Sequence, residues 1–151
     1  MGPLFAPPTW KAATSDPMRW LLASLILTLA SPASAASYMV GTWFGHGQPE
    51  DKESMYIDRM RADGSWRGEY RNCISGKPLD QIQEGHWSLS GDMLSLRVDT
   101  VNGMRAPRTD LYKMLAHTGT TQKYLSMAWN FPYTPQREPD DFKMPSCQLI
   151  S

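Results

Sequence analysis

Gly85-His86-Trp87-Ser88-Leu89-Ser90-Gly91-Asp92-Met93-Leu94-Ser95-Leu96-Arg97-Val98 is the stretch that decides the fold. Before the Ser90-Gly91-Asp92 turn, Gly85, Trp87 and Leu89 share one face, with Glu84 and His86 opposite. After it, Leu94, Leu96 and Val98 alternate with Ser95, Arg97 and Asp99. A period of two on both sides of a turn describes two antiparallel strands that share one apolar face.

The same pattern extends outward. Upstream lie Tyr38–Phe44, closed by Gly45-His46-Gly47-Gln48-Pro49, and then Met55–Met60, which leads into Asp63-Gly64. Asp-Gly between two β-rich runs signals a hairpin, because both residues tolerate positive φ. Trp66, Gly68 and Tyr70 then alternate with Arg67, Glu69 and Arg71, and Gly76-Lys77-Pro78 reads as a wider loop. Downstream, Asn102-Gly103 is a second hairpin dipeptide. Arg108–Leu115 follows, with Pro107 marking an edge or a bulge. After Thr118-Gly119-Thr120, the last run places Leu125, Met127 and Trp129 on one face, and Tyr124, Ser126 and Ala128 on the other.

Seven strands on short links form an all-β, antiparallel up-and-down meander. Closure into a small barrel removes its exposed edges, whereas a two-sheet sandwich would need longer crossovers. Pro132, Pro135, Pro139 and Pro145 mark residues 131–151 as an irregular tail to a barrel spanning 36–130.

The N-terminus carries an address. Met18-Arg19 precedes the apolar run Trp20–Ala30, and Ser31-Pro32-Ala33-Ser34-Ala35 ends in a small-x-small site. That order makes residues 1–35 a secretory signal peptide, whether translation starts at Met1 or Met18. The apolar run falls short of the ~20 residues of a spanning helix, so no membrane span is expected after cleavage. Periplasmic or secreted residence follows. Removing 35 of 151 residues leaves 116, with thirteen Lys+Arg against fourteen Asp+Glu, a charge of −1. Such neutrality without a basic run argues against nucleic acid as a partner. Cys73 and Cys147 both lie in the exported part, where an even count of two favours a disulfide over a reactive thiol.

With these strands in place, Gly41-Thr42-Trp43 resembles the G-x-W signature of lipocalins and smaller lipocalin-like domains. Asp63-Gly64-Ser65-Trp66 and the Gly85-x-Trp87…Gly91-Asp92-x-Leu94-x-Leu96 run are similar to the pattern of bacterial members. The resemblance covers roughly Val40 to Trp129. It implies an up-and-down, lipocalin-like barrel around an apolar cavity, with Trp43 plugging the closed end and Cys73–Cys147 pinning the tail. In larger lipocalins an Arg packs over that Trp; here only Lys123 or Arg137 could serve, and the spacing selects neither.

No catalytic set emerges. His46, His86 and His117 lack ligand-spaced partners, G-x-S-x-G is absent, and Glu50-Asp51 with Glu53 reads as a solvated loop before a Ca²⁺ site. No cofactor is expected. The exported part carries four Trp, six Tyr, three Phe and eight Met, which serve either a filled core or a cavity wall. Tyr70, Leu96, Met127 and Trp129 are the candidate ligand-binding residues. The expected function is non-catalytic binding of a small apolar or amphipathic molecule. The alternative is a filled barrel that binds or inhibits a protein through His46–Ser54 and Pro132–Pro145.

Overall fold

The computed structural model describes residues 37–147, so the signal-peptide reading of 1–35 lies outside the described residues. Among the described residues, a 3-10 turn at Ser37–Met39 is followed by nine strands. They are β1 (Gly41–Gln48), β2 (Asp51–Met60), β3 (Ser65–Ile74), β4 (Lys77–Ser90), β5 (Met93–Val101), β6 (Met104–His117), β7 (Gln122–Ser126), β8 (Pro132–Tyr133) and β9 (Gln136–Glu138). Each of β1 to β8 pairs antiparallel with its successor except that β8 does not pair β9, and β9 instead pairs β1. All-β meander is the observed architecture.

The two short strands extend the sheet beyond the seven runs legible in the sequence. Pro132 and Tyr133 pair with Leu125 and Tyr124, while Gln136–Glu138 pair with Phe44–Thr42. On its other side β9 meets the start of β7: Arg137 N donates to Thr120 O, and Thr121 bridges Gln136. One proline-broken segment therefore holds both ends of the curled sheet. Pro135 sits at the break, fully buried, where its missing N–H costs no ladder bond. Only beyond Glu138 is the tail irregular.

Turn chemistry explains the links. Asn102 (φ 49°) and Gly103 (φ 77°) form the expected two-residue hairpin. Ser75 (φ 52°) and Gly76 (φ 72°) form another, so the wider loop read at Gly76-Lys77-Pro78 is instead a tight turn with Pro78 in β4 opposite Cys73. The pairing of β5 with β6 shifts register next to Pro107, as its bulge reading requires.

Register sets the faces, since directly opposed residues point the same way. Trp43, Asp58, Gly68 and Gln83 form one inward rung, and Gly45, Tyr56, Tyr70 and Gln81 the next. Leu94, Leu96 and Val98 are buried in the same interior, with Met39, Met60, Trp66 and Met114. At one end Trp43 is closed in: its Nε1 donates to Met39 O at 2.8 Å, and the Arg137 guanidinium lies 4.4 Å over its ring. Arg137, rather than Lys123, takes that place, and it also donates to Tyr38 O, Val40 O and Gly119 O. Gly41 makes this possible, because a Cβ there would run into Arg137 Nη1. Gly85 is demanded more strictly: its Cβ would strike the Arg97 carbonyl at the β4–β5 register shift. Trp87, two residues on, anchors through Nε1 to Arg61 O.

Residues 139–147 lie on the outer face of β1–β3. Arg59 donates to Asp140 O and Phe142 O, Phe142 packs on Phe44, and Arg71 donates to Pro145 O. The Cys73–Cys147 disulfide fastens this segment to β3. Among the described residues no helix is long and apolar enough to cross a membrane. The disulfide fits an oxidising compartment, as the periplasm or the extracellular space provides.

Candidate functional site

Inward positions at the end of the sheet remote from Trp43 leave a pocket of about 580 Å³. Tyr70 and Asn72 of β3, Gln81 and Gln83 of β4, Arg108, Asp110 and Tyr112 of β6, and Tyr133 of β8 form its walls. Gln48, Glu50 and Asp51 lie at the β1–β2 hairpin, and Trp129 on the rim. Below it is a cleft of about 30 Å³ between Tyr56, Asp58, Leu96 and Tyr124, which shares Gln48, Tyr70, Tyr112 and Tyr133 with the pocket above.

Five of the six tyrosines of the chain converge here. Tyr56 meets Tyr133 edge-on at 5.5 Å, Tyr112 meets Tyr124 edge-on at 5.4 Å, and Tyr124 stacks on Tyr133 at 5.5 Å. Glycines make room for them. A Cβ on Gly45 would enter the Tyr56 ring, and one on Gly68 would meet Trp66 and Tyr70. Tyr133 donates to Gln48 Oε1 at 3.0 Å. Burial pushes the hydroxyls of Tyr56, Tyr70, Tyr112 and Tyr124 well above the usual phenol range and that of Tyr133 to about 12, so all five stay neutral.

Asp58 sits at the floor, 4% exposed. Its Oδ1 accepts from Trp66 Nε1 at 3.0 Å, and the Tyr124 hydroxyl lies 3.5 Å from its Oδ2. Burial raises its carboxyl to about 6, with both hydrogen bonds pulling the other way. No cation is paired with it in the salt bridges of the described residues. Higher up, Arg108 is already committed, to Asp110 Oδ2 at 3.1 Å and Gln83 Oε1 at 2.7 Å.

Compared with family models and curated proteins, the chain matches none.

Of the four ligand-binding candidates, Tyr70 bridges pocket and cleft, Leu96 lines the cleft, and Trp129 stands on the rim, 64% exposed. Met127 follows the end of β7, is 51% exposed, and lines neither space. The physical reason is the facing of β7. Tyr124 and Ser126 point inward, because Tyr124 opposes Met114 on β6 and Ser126 opposes Tyr112, so the Leu125 face turns out. Spacing alone missed Asp58 and four of the five tyrosines. A signal existed: Tyr56, Asp58 and Met60 share a face of the Met55–Met60 run, and a carboxylate on an inward face is uncommon. Among the described residues no group of three or more His, Cys, Asp or Glu side chains is gathered for a metal. His86 pairs with Asp99 and His117 stacks on Tyr38, both away from the pocket.

Proposed function

We propose that this is an exported, lipocalin-like binding protein that holds a small amphipathic molecule in the interior pocket. The observation that carries the reading is the pocket itself: about 580 Å³, within the ~300–1,000 Å³ range of small-molecule sites, walled by aromatic rings and a few converging polar groups. The lining moves the expected ligand away from a purely apolar one. Tyr, Gln, Asn, Arg and Asp side chains surround it, and leaving them dry and unpaired against a hydrocarbon would be costly. The lipocalin-like reading is supported by Arg137 over Trp43 at the closed end. Binding without catalysis is the role assigned, because the polar side chains of the pocket hold one another: Arg108 pairs with Asp110 and Gln83, Tyr133 with Gln48, and Asp58 with Trp66.

For the protein-partner reading, the candidate surface falls on the β1–β2 hairpin and on a tail whose Pro132–Glu138 part is paired in the sheet, with Phe142 and Pro145 held against Arg59 and Arg71. The deciding experiment is native mass spectrometry of the protein purified after export, compared with the same sample denatured. The expected result is a small-molecule adduct, lost on denaturation and absent when Gly68→Leu fills the interior. No adduct in repeated preparations, and no displaceable binding of an environment-sensitive fluorescent probe, would overturn the proposal.

A further inference from the structure

We infer that the ligand is a small organic cation with an apolar or aromatic body, its charged head seated against Asp58 on the floor of the pocket; the inference rests on the binding reading above. Three independent features agree. First is charge. The pocket and its floor carry four carboxylates, Glu50, Asp51, Asp58 and Asp110, against the single guanidinium of Arg108. That guanidinium is engaged by Asp110 and Gln83, which leaves Glu50, Asp51 and Asp58 as a net excess of negative charge in the pocket.

Second is the wall. Five tyrosine rings enclose the floor, and their faces attract cations, more strongly where water is excluded. Neutral phenols also accept hydrogen bonds from an ammonium, which donates up to three. Third is size. The cleft at Asp58 holds about 30 Å³, room for about one water-sized group, which an ammonium head matches. The organic body then lies in the wider space above, between Tyr70, Tyr112 and Tyr133. A bare metal ion fits poorly, because one carboxylate among neutral phenols is too few hard ligands.

A buried carboxylate without a cation is costly, and a cationic head would remove that cost. The groups facing Asp58 are the five tyrosines, Trp66 and Gln48, with Arg108, Asp110, Glu50 and Asp51 higher in the pocket. The tyrosines stay neutral throughout the physiological range, so Asp58 governs the floor.

The test uses three probes of one shape: phenethylammonium, 2-phenylethanol and 3-phenylpropanoate, titrated calorimetrically into the exported protein at pH 7.5. The cation should bind at least ten-fold more tightly than the alcohol and the carboxylate. Its affinity should fall at least five-fold at pH 5, where Asp58 holds its proton, while the alcohol is unaffected. Asp58→Asn should remove both the preference and the pH dependence, with cooperative melting retained. Should that variant fail to fold, the wild-type pH titration carries the decision. Equal binding of cation and alcohol would overturn the cation inference and leave the pocket reading intact. Preference for the carboxylate would overturn it in favour of Arg108. Binding of none of the three would overturn it as well, and the pocket reading would then stand or fall on the native adduct.

Discussion

Replacing Asp58 by Asn should stabilise the protein above pH 6, an outcome opposite to that for most buried polar substitutions. In the folded chain the carboxyl titrates at about 6 instead of 3.8, because burial disfavours its charge. The folded state therefore holds this proton more tightly than the unfolded one. Between those two values stability falls as pH rises, and above the upper one the full cost applies, about 3 kcal/mol. Asn avoids that cost. Its Oδ1 still accepts from Trp66 Nε1, and its amide can donate to the Tyr124 oxygen. Urea unfolding of both proteins from about pH 4 to pH 8 isolates the effect. Asp63, Asp80 and Asp99, held below the usual carboxylate range mainly by hydrogen bonds, contribute equally to both curves and cancel. The expected difference is small near pH 4 and grows to about 3 kcal/mol in favour of Asp58→Asn near pH 7.5. A pH-independent difference, or a variant less stable at pH 7.5 than at pH 4 relative to wild type, would refute the reasoning.

Other outcomes follow from the same geometry. Reducing Cys73–Cys147, or replacing both by Ser, opens a loop whose ends are 74 residues apart and should cost about 4 kcal/mol, read as a fall in Tm that oxidation reverses. Arg137→Lys keeps the charge but loses the planar fork over Trp43 and two of its three carbonyl contacts; chemical denaturation should show a loss of about 2 kcal/mol. Gly85→Ala drives a Cβ into the Arg97 carbonyl and should destabilise by more than about 2 kcal/mol, whereas Gly91→Ala, open to solvent, should cost less despite its positive φ. Met127→Ala should leave ligand affinity unchanged within about two-fold, while Tyr112→Ala should weaken it by ten-fold or more, since one side chain faces out and the other walls the pocket.

Much of the fold could be read from period-two patterning. Trp66-Gly68-Tyr70 and Leu94-Leu96-Val98 face inward as their alternation requires, because one buried face imposes that rhythm wherever both neighbours are strands. The pattern failed at Pro132–Glu138. Its prolines read as breaks, yet one sits in the pairing between β7 and β8 and another at the buried bend. It failed again on β7, where an apolar Leu125-Met127 face competed with Tyr124 and Ser126. Here the interior is polar, and Tyr124 wins the inward place through its ring contacts with Tyr112 and Tyr133. The site was hidden for the same reason: a search for apolar wall residues finds Leu96 and passes over Asp58. Arg137 over Trp43 depends on the pairing of β9 with β1 across more than ninety residues, which no local pattern reveals.

The most direct measurement of where a ligand sits is the ring signal of each tyrosine in protein labelled with ¹³C-tyrosine, titrated with phenethylammonium at pH 7.5. Tyr70, Tyr112 and Tyr133 should shift, saturating together with the calorimetric affinity. Tyr38, stacked on His117 away from the pocket, should not move. Shifts confined to Tyr38, or unmoved pocket tyrosines at saturating ligand, would contradict an interior binding site.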